Sequence, residues 1–208
     1  MHGVTARARA AGAGCWLLAL LAIGTVQAHA QDTLPGTRFS NAGVVRAGSA
    51  TDSVFVARLR TVDTINIGDF ASFLIAKLGG TTLYDSLQFK VTSDSLRVRI
   101  AGRLMDFPPD SRGEISPIFA FLDSTSVFVA EISMPQADSG IMVFRLERLT
   151  VRGLPIPDLL VLAALSSYRA KYPDKLAAGG KEFHVEIPRM AHARLIKDAI
   201  ILRMPPKP

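Results

Sequence analysis

Cysteine is almost missing from this chain. The single one, Cys15, falls within the first thirty residues, so the remainder holds neither a disulfide nor a thiol nucleophile and is indifferent to an oxidising compartment. Histidine is nearly as scarce. Beyond residue 30 only His184 and His192 occur, and neither has a partner at metal-site spacing, which on one helix needs His at i and i+4 and in a finger needs Cys with His. No metal set and no cofactor is expected. Charge of one sign is not concentrated either: the net charge of +6 is spread along the chain without a run of five like residues. That argues against nucleic acid as a partner while allowing attraction to an anionic membrane surface.

Catalytic signatures are missing too. There is no G-x-S-x-G elbow. Gly179-Gly180-Lys181 lacks both the upstream glycine and the following Ser or Thr of a phosphate loop. Glu131 and Glu147 fall on strands expected to be neighbours, but as residues on the polar side of an alternating pattern they read as a solvated face rather than an acid and base pair. His184 reads the same way, beside Glu182 and Glu186. No catalytic residue is assigned, and the chain is expected not to be an enzyme.

What is present begins with a leader. Arg7 and Arg9 without any acidic residue, an apolar stretch over residues 16–26, and Ala28-His29-Ala30 form the three parts of a secretory signal peptide. The stretch is well short of the roughly 20 residues that a spanning helix needs. Cys15 precedes it rather than closing it, which argues against lipidation. The expected organisation is a signal peptide over 1–30, a flexible Gly/Ala/Ser/Thr-rich segment over 31–50, and one domain over 51–208. After cleavage the product would be periplasmic or extracellular.

Within that domain, Phe55, Ala57 and Leu59 alternate with Arg58 and Arg60, which predicts a strand over 53–60. Asn66 as N-cap, Asp69 in the first turn, Phe70, Phe73, Leu74 and Leu78 at helical spacing and Gly79-Gly80 as a stop predict a helix. Leu87, Phe89 and Val91, then Leu96, Val98 and Ile100, predict an antiparallel hairpin whose other face carries Arg97, Arg99 and Arg103. Pro108-Pro109-Asp110 to Gly113 is a loop. Two strands follow over 126–132 and 141–151. In the second, the alternation of Met142, Phe144 and Leu146 changes phase before Leu149 and Val151, which predicts a β-bulge at Glu147-Arg148. Pro157, Asp158 and a wholly apolar run over 159–165 predict a helix to about residue 172, enclosed because it is apolar all round. Phe183, Val185 and Ile187, and finally Ile200, Leu202 and Met204, are strand-like. The fold class is α+β, a bent antiparallel sheet wrapped around one or two helices.

This order over residues 62–204 resembles the bacterial branch of the tubular lipid-binding superfamily, in which a bent antiparallel sheet wraps a long helix. The likeness is carried by the helix over 67–78, the hairpin over 87–104, the passage from residue 144 through Gly153-Leu154-Pro155-Ile156-Pro157, and the strand that ends at Pro188. The resemblance implies binding of a phospholipid or other amphiphile in an apolar groove, without catalysis or metal. From apolarity and strand bending, the groove candidates are Phe70, Phe73, Leu74, Phe144, Leu160, Leu162 and Leu165, with Arg97, Arg99 and Arg103 as headgroup contacts, since guanidinium forks match phosphate oxygens. A second reading is a non-catalytic envelope interaction or assembly module with a fully packed core, whose protein partner the sequence does not name. A hydrolase with an unrecognised site is the third. The leader generates the first test: exported protein should start at Gln31 on N-terminal sequencing, and retention of residues 1–30 would replace the signal peptide with a membrane anchor.

Overall fold

The first helix, α1 (Asn41–Phe55), is capped by Ser40, whose backbone is extended and whose side-chain oxygen accepts the Gly43 N–H at 2.9 Å. The structure is a computed structural model that describes residues 37–77, 89–106, 123, 125–171 and 180–206. The leader, the Gly79-Gly80 stop, Leu87, the loop over 108–113 and the Gly179 turn lie outside them. Two expectations are corrected at once. Residues 41–50 are helical rather than a flexible lead-in, and residues 53–60 hold the end of α1 and a turn rather than a strand. The helix is written in Val44, Ala47, Val54 and Phe55, which the core buries or half-buries. Gly43 and Gly48 hide it from a propensity reading. Both serve packing: a Cβ on Gly43 would stand 2.7 Å from Asp69 Oδ1, and one on Gly48 would touch Phe73.

From there the chain runs through β1 (Val62–Asn66), α2 (Ile67–Lys77), β2 (Lys90–Ser93), β3 (Arg97–Arg103), a 3-10 turn, β4 (Val127–Asp138), β5 (Ile141–Val151), β6 (Leu154–Pro155), α3 (Asp158–Lys171), β7 (Glu182–Glu186), β8 (His192–Ile196) and β9 (Ala199–Arg203). The strands form two antiparallel sheets. One has the order β1-β9-β8; the other runs β2-β3-β4-β5, with β6 and β7 both paired to the far side of β5. The α+β class holds, and the helices that the sheets enclose are α1 and α2. Their Ala47, Val54, Ile67 and Phe70 share one core with Val91, Phe128, Phe144, Leu195 and Leu202.

The phase change in β5 appears where the alternation placed it. Glu131 pairs with Arg148 but Ile132 with Leu146, so Glu147 is the extra residue of a bulge. A second bulge lies in β4, where Ser133 and Gln136 pair with Arg145 and Val143. It contains Pro135, which has no N–H to give to a ladder and fits where pairing is interrupted. Edge-to-face rings fix the other end of the large sheet: Phe89 lies 5.9 Å from Phe39 and 5.2 Å from Phe128. The two sheets are joined through the β8–β9 turn. Asp198, at φ 54°, accepts the Ser93 N–H on its side chain and exchanges backbone bonds with Ser93 and Ile67.

α1 and α2 are locked by polar contacts. Arg46 donates from Nε and Nη2 to the two carboxylate oxygens of Asp69 at 2.8 and 2.7 Å, and the Ser40 N–H donates to Ser72 Oγ. The Asp69 side chain is 4% exposed and that of Arg46 52%, so the carboxylate is the buried partner. Removing the cation leaves a buried charge uncompensated, whereas removing the charge frees a guanidinium that already meets water. Arg46→Ala should therefore cost about 2 kcal/mol in urea unfolding, and Asp69→Asn less.

Candidate functional site

A groove of about 320 Å³ opens where the last turn of α1 meets α2 and β7. Phe70, Phe73 and Met142 form much of its apolar lining, together with Phe55 of α1, the C-cap Val56, and Val185, Ile187 and Pro188 from and beyond β7. Thr51, Asp52, Lys77, His184 and Glu186 supply its polar parts. The Lys77 ammonium lies 5.5 Å from the centroid of the Phe73 ring, a cation held against an aromatic face. Thr51 Oγ1 is buried and has no hydrogen-bond partner among the described residues. Ser53, two residues on, back-bonds to the Ser49 carbonyl at 2.8 Å as helical hydroxyls usually do.

The groove candidates divide. Phe70 and Phe73 line the opening. Phe144 lies behind it with its ring 6.2 Å from Phe70, and Leu74 packs half-buried against the core. Leu160, Leu162 and Leu165 do not line it. The expectation that residues 158–168 form an enclosed helix is overturned: Leu159 is 77% exposed and Leu162 36%, Leu160 and Leu165 are half-buried, and Val161 at 5% is the one buried leucine-class side chain of α3 among the described residues. Apolarity all round predicts enclosure only when a partner surface closes over every face. Here the core is already filled by α1, which the sequence reading left out.

Arg97, Arg99 and Arg103 do share one face of β3, in positions alternating with buried Val98 and half-buried Ile100. They do not stand as a free basic stripe. Arg97 reaches Glu131 at 3.6 Å, Arg103 binds Asp106 at 3.1 Å, and Arg99 stands opposite Glu131 in the β3–β4 register. Thr92, Ser93 and Asp94 complete a shallow depression of about 310 Å³ around Arg97, Arg99 and Glu131. Backbone N–H groups of Leu96 and Arg97 hold the Asp94 carboxyl below its ordinary range. The depression thus carries acid and base together.

Glu131 and Glu147 do not form a carboxylate pair, since Glu147 accepts from Ser133 Oγ while Glu131 faces Arg97. His184 has Glu182 as its neighbour at 3.8 Å, but that carboxylate is taken by Arg145, whose guanidinium lowers its pKa. Among the described residues no three His, Cys, Asp or Glu side chains gather for a metal ion. No described helix is long and apolar enough to cross a membrane. The sequence does not mark as groove residues Thr51, Asp52 and Phe55 on α1, Val56 at its C-cap, Lys77, Met142 or the β7 segment. The alternation of Phe183, Val185 and Ile187 marked a strand, but no local pattern says which side of a strand stays unpaired.

The exposure of α3 sets a test. Leu162→Ala should cost less than about 1 kcal/mol, within the range of surface changes, while Val161→Ala should cost clearly more, as measured by urea unfolding. A loss of about 3 kcal/mol or more at Leu162 would restore an enclosed helix. No family model matches the chain, and neither a curated protein nor a solved structure is significantly similar to it.

Proposed function

We propose that this chain is an exported, non-catalytic interaction domain that receives an apolar group of its partner in the groove between α1, α2 and β7. One observation carries the reading. The opening of about 320 Å³ is lined by Phe55, Phe70, Phe73 and Met142 on the outside of a core packed ring against ring. Its size stands at the lower end of small-molecule sites, which run from about 300 to 1,000 Å³. One apolar group fits better than the paired chains of a phospholipid. The leader over residues 1–30 supports export. The aromatic floor favours a second reading, a single-chain amphiphile with its tail in the same groove.

Val56 lines the groove yet is 75% exposed, so enlarging it should fill the site with little effect on the fold. The uncharged dye N-phenyl-1-naphthylamine should bind the protein lacking residues 1–30 at one saturable site. Val56→Trp should abolish that binding while the unfolding midpoint stays put. Dye uptake that is absent, or unchanged in Val56→Trp, overturns the assignment of the groove. Competition by dodecanoate would move the reading to the amphiphile.

A further inference from the structure

The β7 wall of the groove is an open strand edge. β7 pairs with β5 and with no other strand among the described residues. Leu146 N donates to Lys181 O, and Ile187 N to Gly140 O, so both ends of the pairing are bonded pairs. An antiparallel ladder alternates bonded and non-bonded residues. Phe183 and Val185 therefore turn their backbone groups toward β5, and His184 and Glu186 turn theirs away from it. Those two residues lie in the segment 184–188 that lines the groove. The comparable outer edge of β2 is occupied, because Arg38 bridges to Lys90 and Val91 N donates to Thr37 O.

We infer that the groove's occupant is an extended peptide segment of a partner protein, which adds to the free edge of β7 and places an apolar side chain over Phe70 and Phe73. The inference rests on the proposed function and names the chemistry of its partner. A strand added about 4.8 Å from β7 would run between that edge and the α1 wall. Its backbone would bond the N–H and C=O groups of His184 and Glu186. Side chains at alternate positions would fall on the groove side, where Phe55, Val56, Phe73 and Val185 surround them. Main-chain bonds of this kind give affinity, and the groove selects an apolar residue at one position. Thr51, whose hydroxyl has no partner among the described residues, stands in the opposite wall.

The register supplies the test. Proline at 186 deletes an N–H that points away from β5, so the β5–β7 ladder keeps all its bonds, and an edge strand tolerates proline there. Glu186→Ala removes the same side chain and keeps the N–H. The probe is a capped peptide of alternating Val and Thr residues with a terminal Phe, read by displacement of N-phenyl-1-naphthylamine. The peptide should displace the dye from the parent and from Glu186→Ala, and lose about ten-fold in affinity for Glu186→Pro, the scale of one lost backbone bond. Because Glu186 lines the groove, the dye is titrated directly into each protein, and peptide affinity is read against that protein's own dye affinity. Should Glu186→Pro fail to fold or fail to take up the dye, the same loss is expected when the peptide is N-methylated at alternate residues in one of the two phases, with the parent protein unchanged.

Equal peptide affinity for Glu186→Pro and the parent, or tolerance of N-methylation in both phases, overturns strand addition. Failure of the peptide to displace the dye at millimolar concentration overturns it as well. In each of these cases the dye still occupies the groove and the proposed function stands. Absence of dye binding removes both.

Discussion

The bidentate contact between Arg46 and Asp69 is the constraint on which the arrangement of the helices rests. Asp69 sits in the first turn of α2, where a carboxylate is favoured by the helix dipole, but its burial needs a cation as well. Arg46 supplies it from α1, and its own pKa is raised by the same carboxylate. The pair forms only if the helices approach closely, and Gly43 permits that, since any Cβ there would run into Asp69. Ser40 and Ser72 add a second polar tie in the same place. Once α1 is held by its N-terminal half, its last turn must project Phe55 and Val56 toward β7, and the groove follows.

β5 organises the sheet in a similar way. It pairs along one side with β4 and shares its other side between β7 and β6. The bulge at Glu147 separates those two partners: Ile141 to Arg145 pair with β7, and Thr150 and Val151 with β6. A bulge bends a strand and increases its twist. The part of β5 before Glu147 can thus turn toward α2, where Phe144 meets Phe70, while the part after it pairs with β6. Arg145 and Glu182 then pin β7 to the bent half by a charge-assisted contact. β7 ends as an outer strand beside two helices, which is how a groove comes to have a backbone edge on one side and aromatic rings on the other.

Much of this was legible in the sequence. The two-residue alternation of Val98 and Ile100 against Arg97 and Arg99, the phase change at Glu147, and Asp69 ahead of Phe70 and Phe73 each reflect a local period that burial on one face imposes. α1 was not legible, because Gly43 and Gly48 weaken helix propensity and their value lies in a contact with α2. The basic face of β3 was legible as a face but not as a set of pairs. Glu131 comes from β4, about thirty residues on, and only the register sets it beside Arg97 and Arg99.

The sequence by itself determined an α+β chain with antiparallel strands, a bent β5, and a stretch after residue 30 without cysteine or a metal-ligand pattern, because periodicity and composition are properties of neighbours along the chain. Tertiary structure alone decided which helix the core encloses. The run over 159–165 is the longest unbroken apolar one after residue 30, yet α1 takes the place beside α2 by virtue of Arg46, Gly43 and Ser40, and α3 keeps Leu159 in solvent. It also decided which strand edge stays open. That choice follows from pairing across 40 residues between β5 and β7, and a strand's own sequence shows what its two faces meet but not what lies along its two edges.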